Sequence, residues 1–246
     1  MTYLNSLKLI SNIIRNTVKD LDSFQFRKIL YKSLILTLIL AISCCYMLYV
    51  FLDAYVFILF DFEFESEFIN KILNSFFIKI IFMITKITLL WMIFSMILIP
   101  IGNLISFLFE EKIFDQVNKI NHYNFEGEKL RNSFLNSFLL SLRLFLFAIL
   151  INILLFPFYL FVPLANILLF IFVNGYLIGR EFYSNILFQF HNKIEVENLR
   201  RESRTEEFAL GSFVFALYTV PALNLFVPFF ATACFSHLFL IKKKTL

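Results

Sequence analysis

Charged residues are scarce in this sequence. Only 16% of its 246 residues are Asp, Glu, Lys or Arg, whereas 60% are hydrophobic and the mean hydropathy is +0.79. A soluble domain cannot hide that much apolar surface, so the composition indicates an integral membrane protein. The net charge of +4 is modest and gives no reason to expect a nucleic-acid partner.

Catalytic and metal-binding patterns are also missing. The sequence has no Gly-x-Ser-x-Gly, His-Glu-x-x-His or Walker pattern, and it contains only three His. Its three cysteines, Cys44, Cys45 and Cys234, lie inside apolar runs without metal-ligand spacing, so we interpret them as small core residues. We therefore expect no enzyme activity, no metal site and no cofactor. The first twenty residues are charged and lack an apolar segment, so no cleavable signal peptide is expected.

Two apolar runs are long enough to cross a bilayer. Ser33–Leu52 contains no charge, and Ile87–Phe109 lies between a Lys and a Glu. Runs of about 20 apolar residues match the thickness of a membrane, so we predict two long transmembrane helices. Residues 3–21 show helical amphipathic spacing. This segment fits a helix in the membrane interface or a surface helix packed on the bundle.

Two similar segments predict tight turns between apolar helices: Val162-Pro163-Leu164-Ala165-Asn166 and Val220-Pro221-Ala222-Leu223-Asn224. The prolines Pro163 and Pro221 are expected to stop the incoming helices. The asparagines Asn166 and Asn224 are expected to cap the outgoing ones.

The arms of the second hairpin are short. Leu210–Val220 and Phe229–Ile241 would each rise ~20 Å or less, against ~30 Å of hydrocarbon. At least this second hairpin is therefore predicted to enter the membrane and turn back. The fold predicted for residues 1–246 is a single all-α membrane domain. It has two long transmembrane helices, two hairpins tipped by Pro and Asn, and an N-terminal amphipathic helix.

The basic residues predict the orientation of this domain. If the two long helices cross and both hairpins return, residues 1–32, 110–143, 180–207 and 242–246 share one side. That side holds 19 of the 22 Lys and Arg residues. Because basic residues accumulate on the cytoplasmic side, both termini are predicted to be cytoplasmic.

Three charged residues stand at the edge of the predicted spans. Arg143 lies within the apolar run Phe134–Phe156, where a charge either has a function or marks the membrane boundary. Arg180 and Glu181 directly follow Gly175-Tyr-Leu-Ile-Gly179, a pattern that allows close helix contact. These two residues are candidates for a charged gate or for a structural pair.

Several motifs resemble the CysZ / etoposide-induced membrane protein family in its bacterial branch. Leu108–Tyr123 resembles the segment that leaves the second span, and Asn174–Tyr183 resembles the signature after the first hairpin. Val220-Pro-Ala-Leu-Asn-Leu-Phe-Val-Pro228, followed by Ala231-Thr-Ala233 and His237, resembles the terminal signature.

This resemblance implies a sulfate permease-like protein, or a transporter or channel for a related anion, in the bacterial inner membrane. It also implies a multi-pass homo-oligomer whose partners are a small anion and the lipid bilayer. Arg27 and Lys28 then become candidates for capturing the anion. Helix starts at membrane depth favour an anion, so the tip residues Pro163, Asn166, Pro221, Asn224 and Pro228 are pore candidates. The alternative is that Asn166 and Asn224 are only caps. The alternative function is a membrane scaffold or quality-control factor that transports nothing.

Overall fold

The structure of the chain, a computed structural model, describes residues 3–55, 76–130, 133–161, 163–220 and 223–244. These residues form eight α-helices and no strand. The helices are α1 (Tyr3–Asp20), α2 (Phe24–Tyr55), α3 (Phe76–Ile120), α4 (Ser133–Phe161), α5 (Pro163–Phe188), α6 (Lys193–Glu202), α7 (Arg204–Tyr218) and α8 (Val227–Lys244). The all-α prediction is therefore confirmed for the described part of the chain.

Helix α2 carries no charge from Ser33 to Leu52, but it is buried along only one stripe. The buried side chains recur at spacings of three and four residues and contain Phe26, Leu30, Ser33, Thr37 and Ala41. Large apolar side chains on the other faces are exposed, such as Ile39 at 55% and Met47 at 72%. Among the described residues, the segment Phe24–Phe51 is the one helix that is long and apolar enough to cross a membrane.

Helix α3 is 45 residues long and packs against α2 along one side and α8 along another. Polar contacts fix the second of these interfaces. The Ser106 hydroxyl donates to the Pro228 carbonyl at 2.9 Å and lies 2.7 Å from the Thr232 hydroxyl. Nearby, a Cβ on Gly102 would come within 2.9 Å of the Pro228 ring. The start of α8 is therefore packed tightly against the second half of α3.

The first hairpin consists of α4 and α5, as predicted, but its capping differs from the prediction. Helix α5 begins at Pro163, so Asn166 lies in its first turn and is not the N-cap. Proline suits the first position of a helix because the missing N–H would have no helical partner there. Pro163 therefore starts the outgoing helix, and Asn166 follows within it.

The second hairpin consists of α7 and α8, and its predicted cap is also wrong. Helix α8 begins at Val227, three residues after Asn224. The intervening turn is closed by backbone bonds, including one from Phe226 N–H to the Leu223 carbonyl at 2.8 Å. Asn224 lies in this turn and is 5% exposed. Pro221, the predicted helix stop, lies outside the described residues.

Helices α5 and α7 meet through glycines, which confirms the close contact predicted from Gly175 and Gly179. A Cβ on Gly175 would come within 2.5 Å of the Ser212 hydroxyl. A Cβ on Gly179 would collide with the Glu207 carbonyl, and one on Gly211 with the Gly175 carbonyl. No side chain larger than hydrogen fits between these backbones, so they pack directly against each other.

Helix α8 is the centre of the bundle, because every residue from Val227 to Leu240 is buried. It contacts α1, α3, α5 and α7. Helix α1 turns Ile10 and Ile13 inward, and its Asp20 carboxylate bonds to His237 on α8. The structure thus supports the second alternative for α1, a surface helix packed on the bundle.

Candidate functional site

A cavity of about 390 Å³ lies between α3, α4, α5 and α8. Its lining combines one acidic, amide-rich end with extensive apolar walls. The lining residues are Asn103, Leu104, Phe107, Glu110, Phe138, Ser141, Leu142, Leu144, Asn174, Leu177, Ile178, Glu181, Phe182, Asn185 and Thr232. None of these fifteen residues is Lys, Arg or His.

The polar end of the cavity contains hydrogen-bond acceptors that have no partner within the described structure. Glu110 is 5% exposed and Asn185 is 6% exposed. Glu110 Oε1 and Asn185 Oδ1 are both buried without a hydrogen bond, although the Asn185 amide N–H donates to the Ser141 hydroxyl at 3.3 Å. Buried polar atoms are nearly always bonded, so unbonded acceptors that line a cavity suggest a place for a ligand.

The two carboxyl groups at this end hold their protons more tightly than ordinary glutamates. Burial raises the pKa of Glu110 to about 8, with smaller upward effects from Glu111 and Glu181 and a lowering effect from Gln189. Burial likewise raises the pKa of Glu181 to about 7, against a lowering hydrogen bond from Ser141. Both residues belong to stretches that the sequence places outside the spans, at the membrane edge.

The apolar part of the cavity is open to the outer surface of the bundle. Leu104 is 51% exposed, Phe138 40% and Leu142 46%. Leu104 belongs to the stretch of α3 that the sequence predicts to cross the membrane. The cavity therefore joins a polar, membrane-edge end to an apolar opening between α3 and α4.

The structure separates the predicted charged residues from one another. Arg27 and Lys28 are exposed at the start of α2, and neither lines the cavity. The Arg27 guanidinium donates to the Asp22 carbonyl at 3.3 Å. Arg143 is exposed on α4, although Ser141 and Leu142 beside it line the cavity.

Arg180 and Glu181 are adjacent in α5 but interact with different parts of the structure. Glu181 lines the cavity. Burial raises the pKa of Glu207 on α7, whereas the charges of Arg200 and then Arg180 lower it. The charge of Arg180 therefore interacts with a carboxyl group of α7. Among the ion pairs of the described residues, none joins Arg180 to Glu181.

The described tip residues of the second hairpin do not line the cavity. Asn224 and Pro228 pack against α3 near Gly102 and are absent from the cavity lining. Pro163 and Asn166 lie in the first turn of α5. Among the described residues of the second hairpin, Thr232 contributes to the lining.

The sequence analysis missed most of the acidic end. It treated Glu110 only as the flank of a span and did not single out Ser141 or Asn185. One available signal was the spacing of Glu181 and Asn185, because residues four apart share a helix face. Glu110 lies on a helix that is distant in sequence, so no local pattern could have indicated that it joins Glu181 in the cavity.

A second buried polar cluster ties three helix ends together. His237 is fully buried; its Nε2 lies 2.8 Å from Asp20 Oδ2 and its Nδ1 lies 2.9 Å from the Tyr123 hydroxyl. Asn121 also donates to Asp20, at 2.9 Å. This cluster is enclosed and fully paired, so its geometry suits structural support. Within the described residues, no three His, Cys, Asp or Glu side chains group closely enough to hold a metal ion.

Comparison with known families gives a clear match. The sequence matches the family described as "Sulfate transporter CysZ/Etoposide-induced protein 2.4" over residues 14–228, most of the chain. The chain belongs to this family. Among curated proteins, none matches the chain. The CysZ-family match begins within α1 and extends to Pro228, so it contains both hairpin tips and all of the cavity lining except Thr232.

Proposed function

We propose that this CysZ-family chain is a multi-pass permease for a small anion, with sulfate as the first candidate, in the bacterial inner membrane. The observation that carries the proposal is the family match, whose description names sulfate transport. The exposed apolar faces of α2 support a membrane location, since a large apolar surface of this kind is stable against lipid but not against water.

The depth of the second hairpin supports partial penetration. Its tip packs at Gly102 and Asn103 of α3, where the Tyr218 hydroxyl donates to Asn103 at 2.6 Å. From Gly102 back to Phe76, α3 continues for ~39 Å beyond this tip. We therefore propose that α2 and α3 cross the membrane while α7 and α8 turn back inside it.

Contacts between the helix ends support placing both termini on one side, which we propose is the cytoplasm. Glu206, at the start of α7, accepts bonds from Lys242 at 2.9 Å and from Ser6 at 3.4 Å. Leu130, after α3, bonds through its N–H to the Gln189 carbonyl after α5 at 2.8 Å. The segments rich in basic residues thus meet at one end of the bundle.

For the anion itself, we propose that Arg27 and Lys28 provide the first encounter. Both are exposed, and they lie in the first turns of α2, where the helix dipole adds positive potential. The acidic cavity is a poor sulfate site, because none of the fifteen described lining residues is a Lys, Arg or His that could pair with an anion. The path would instead pass the second hairpin, whose tip packs against Gly102 in the predicted span of α3.

Sulfate flux into proteoliposomes that contain the purified chain tests this proposal, with chloride and phosphate as comparison anions. We expect sulfate flux, reduced severalfold by the double variant Arg27→Gln, Lys28→Gln. The matched control is Lys8→Gln, since Lys8 is an exposed lysine on α1. Asn224→Asp should reduce flux if the anion passes the tip, because the new charge would repel it.

A well-folded chain that moves none of the three anions would contradict the proposal. That result would favour the alternative of a membrane scaffold or quality-control factor. Normal flux in both the Arg27/Lys28 and the Asn224→Asp variants would leave transport intact but remove the proposed path. We propose no enzymatic activity for the chain, and homo-oligomer formation remains a prediction that cross-linking in membranes can test.

A further inference from the structure

We propose that the cavity between α3, α4 and α5 binds an amphiphile with a primary ammonium head, which lies between Glu110 and Glu181. Its apolar tail would lie along Leu104, Phe138 and Leu142 and leave through the opening between α3 and α4. This site is separate from the anion path, and its test does not depend on sulfate transport.

The hydrogen-bonding needs of the cavity match an ammonium group. The Gln189 amide lies beside Glu110 and is itself buried without a hydrogen bond. Glu110 Oε1 and Asn185 Oδ1 are acceptors that make no hydrogen bond in the described structure, on side chains that are only 5% and 6% exposed. Leaving such a buried atom without a hydrogen bond is unfavourable. A primary ammonium has three N–H donors and no acceptor, so it can supply what these atoms lack.

The charge of the cavity also favours a cation. Two carboxyl groups face it, and none of the lining residues in the described part of the chain is basic. The nearest arginines in sequence do not compensate them, because Arg143 is exposed and Arg180 acts on Glu207 across the α5–α7 contact. A bound cation would stabilise the ionised form of both carboxyl groups, whereas a bound anion would oppose their ionisation.

The size and walls of the cavity distinguish an amphiphile from a simple ion. A volume of about 390 Å³ lies within the range of sites for organic molecules. An inorganic cation would occupy only the acidic end and would not fill the apolar part of the cavity, which Leu177, Ile178 and Phe182 line. The partly exposed Leu104, Phe138 and Leu142 give a tail direct access to lipid.

The proposal predicts a definite dependence on pH. The groups around the acidic end are Glu111 on the same helix as Glu110, Glu181 on α5, Gln189 directly after α5, Ser141 on α4, Tyr218 on α7 and the neutral Thr232 on α8. With pKa values of about 8 and about 7, both carboxyls are substantially protonated at neutral pH. Binding of an ammonium displaces those protons, so affinity should rise as the pH increases from 6 to 8.5. The ligand keeps its charge in this range, because alkylammonium pKa values lie near 10.4.

The test is photolabelling of the full chain in nanodiscs of phosphatidylcholine. The probe is decylamine with a diazirine on its tail, compared with trimethylammonium and alcohol probes of the same chain. We expect the decylamine probe to label α3 and α4 around Leu104, Phe138 and Leu142, about tenfold more than the alcohol. Labelling by the decylamine probe should also exceed labelling by the trimethylammonium probe, which has equal charge but no N–H donor.

Matched variants locate the head group. The double variant Glu110→Gln, Glu181→Gln should lose most of this labelling, whereas Glu111→Gln should keep it, because Glu111 lies on the exposed side of the same helix. Competition with phosphatidylethanolamine or with ethylamine distinguishes a lipid head group from a free amine. Protection by either one supports the site.

Three results would overturn the proposal: equal labelling by all three probes, labelling unchanged in the double variant, or protection by sulfate. If the double variant does not fold, labelling of the unaltered chain is measured from pH 6 to pH 8.5 and tests the proposal instead. Labelling that fails to increase between pH 6 and pH 8.5 would then exclude a head group held by Glu110 and Glu181.

Discussion

At the scale of single residues, the sequence identified polar groups but not their partners. His237 was noted on the last apolar arm, and its partners Asp20 and Tyr123 lie 217 and 114 positions away. Such pairings depend on how helices meet, which no local pattern encodes. The same is true of Glu110, which joins Glu181 only because α3 and α5 border one cavity.

Replacing His237 should destabilise the chain markedly. His237→Ala would leave the buried Asp20 carboxylate without this partner and would open space beside Tyr123. Breaking a buried polar pair of this kind costs about 2–4 kcal/mol. For a chain of this size each kcal/mol corresponds to about 2–4 °C in melting temperature. Thermal unfolding in detergent should therefore show a fall of roughly 5–15 °C.

The control for this measurement is His122→Asn. His122 is exposed, with φ of 49°, a left-handed conformation that Asn tolerates well. Its melting temperature should stay within a degree or two of the original. If His237→Ala melts like the control, the cluster of Asp20, Tyr123 and His237 does not support the fold.

At the scale of helices, patterns predicted which segments pair but not their caps. The Gly175–Gly179 spacing indicated a close contact, and the structure confirms it against α7. The partner Gly211 had no comparable signal, because a single glycine has no spacing to read. The Asn166 and Asn224 caps were wrong because Pro163 itself begins α5 and a longer turn precedes α8.

Adding bulk at the α5–α7 contact should break the bundle. In Gly179→Leu, the new Cβ would meet the Glu207 carbonyl, which belongs to the backbone and cannot rotate away. Forcing the helices apart would also strain the neighbouring Gly175–Ser212 contact. We expect loss of the monodisperse peak in detergent chromatography, or a melting temperature lower by about 5 °C or more.

The matched control adds the same bulk on the outer face of the partner helix. Ala216 is exposed on α7, so Ala216→Leu should leave elution and melting nearly unchanged. Disruption by both variants would point to a general sensitivity of α7. An unaffected Gly179→Leu would mean that the two backbones can separate at little cost.

At the scale of the whole molecule, composition and charge predicted an all-helical membrane protein, and the family match agrees. They did not predict that α8 would be enclosed on all sides. Its apolar residues could face lipid or protein with equal ease, since both are nonpolar. Its position at the centre comes from the small residues and polar contacts that bind it to α1, α3 and α7.

The depth of the second hairpin gives the decisive prediction at this scale. In a background with the native cysteines replaced, His122→Cys, Ile194→Cys and Val220→Cys place single thiols at three exposed positions. His122 and Ile194 lie in the segments assigned to the cytoplasm, and Val220 lies at the hairpin tip. A membrane-impermeant maleimide should label the first two only when it is added from the cytoplasmic side.

Val220→Cys should resist this reagent from both sides and react with a permeant one, because α3 extends ~39 Å past the tip. Labelling of Val220→Cys from outside would show that the hairpin crosses the membrane completely, and labelling of His122→Cys from outside would reverse the proposed orientation.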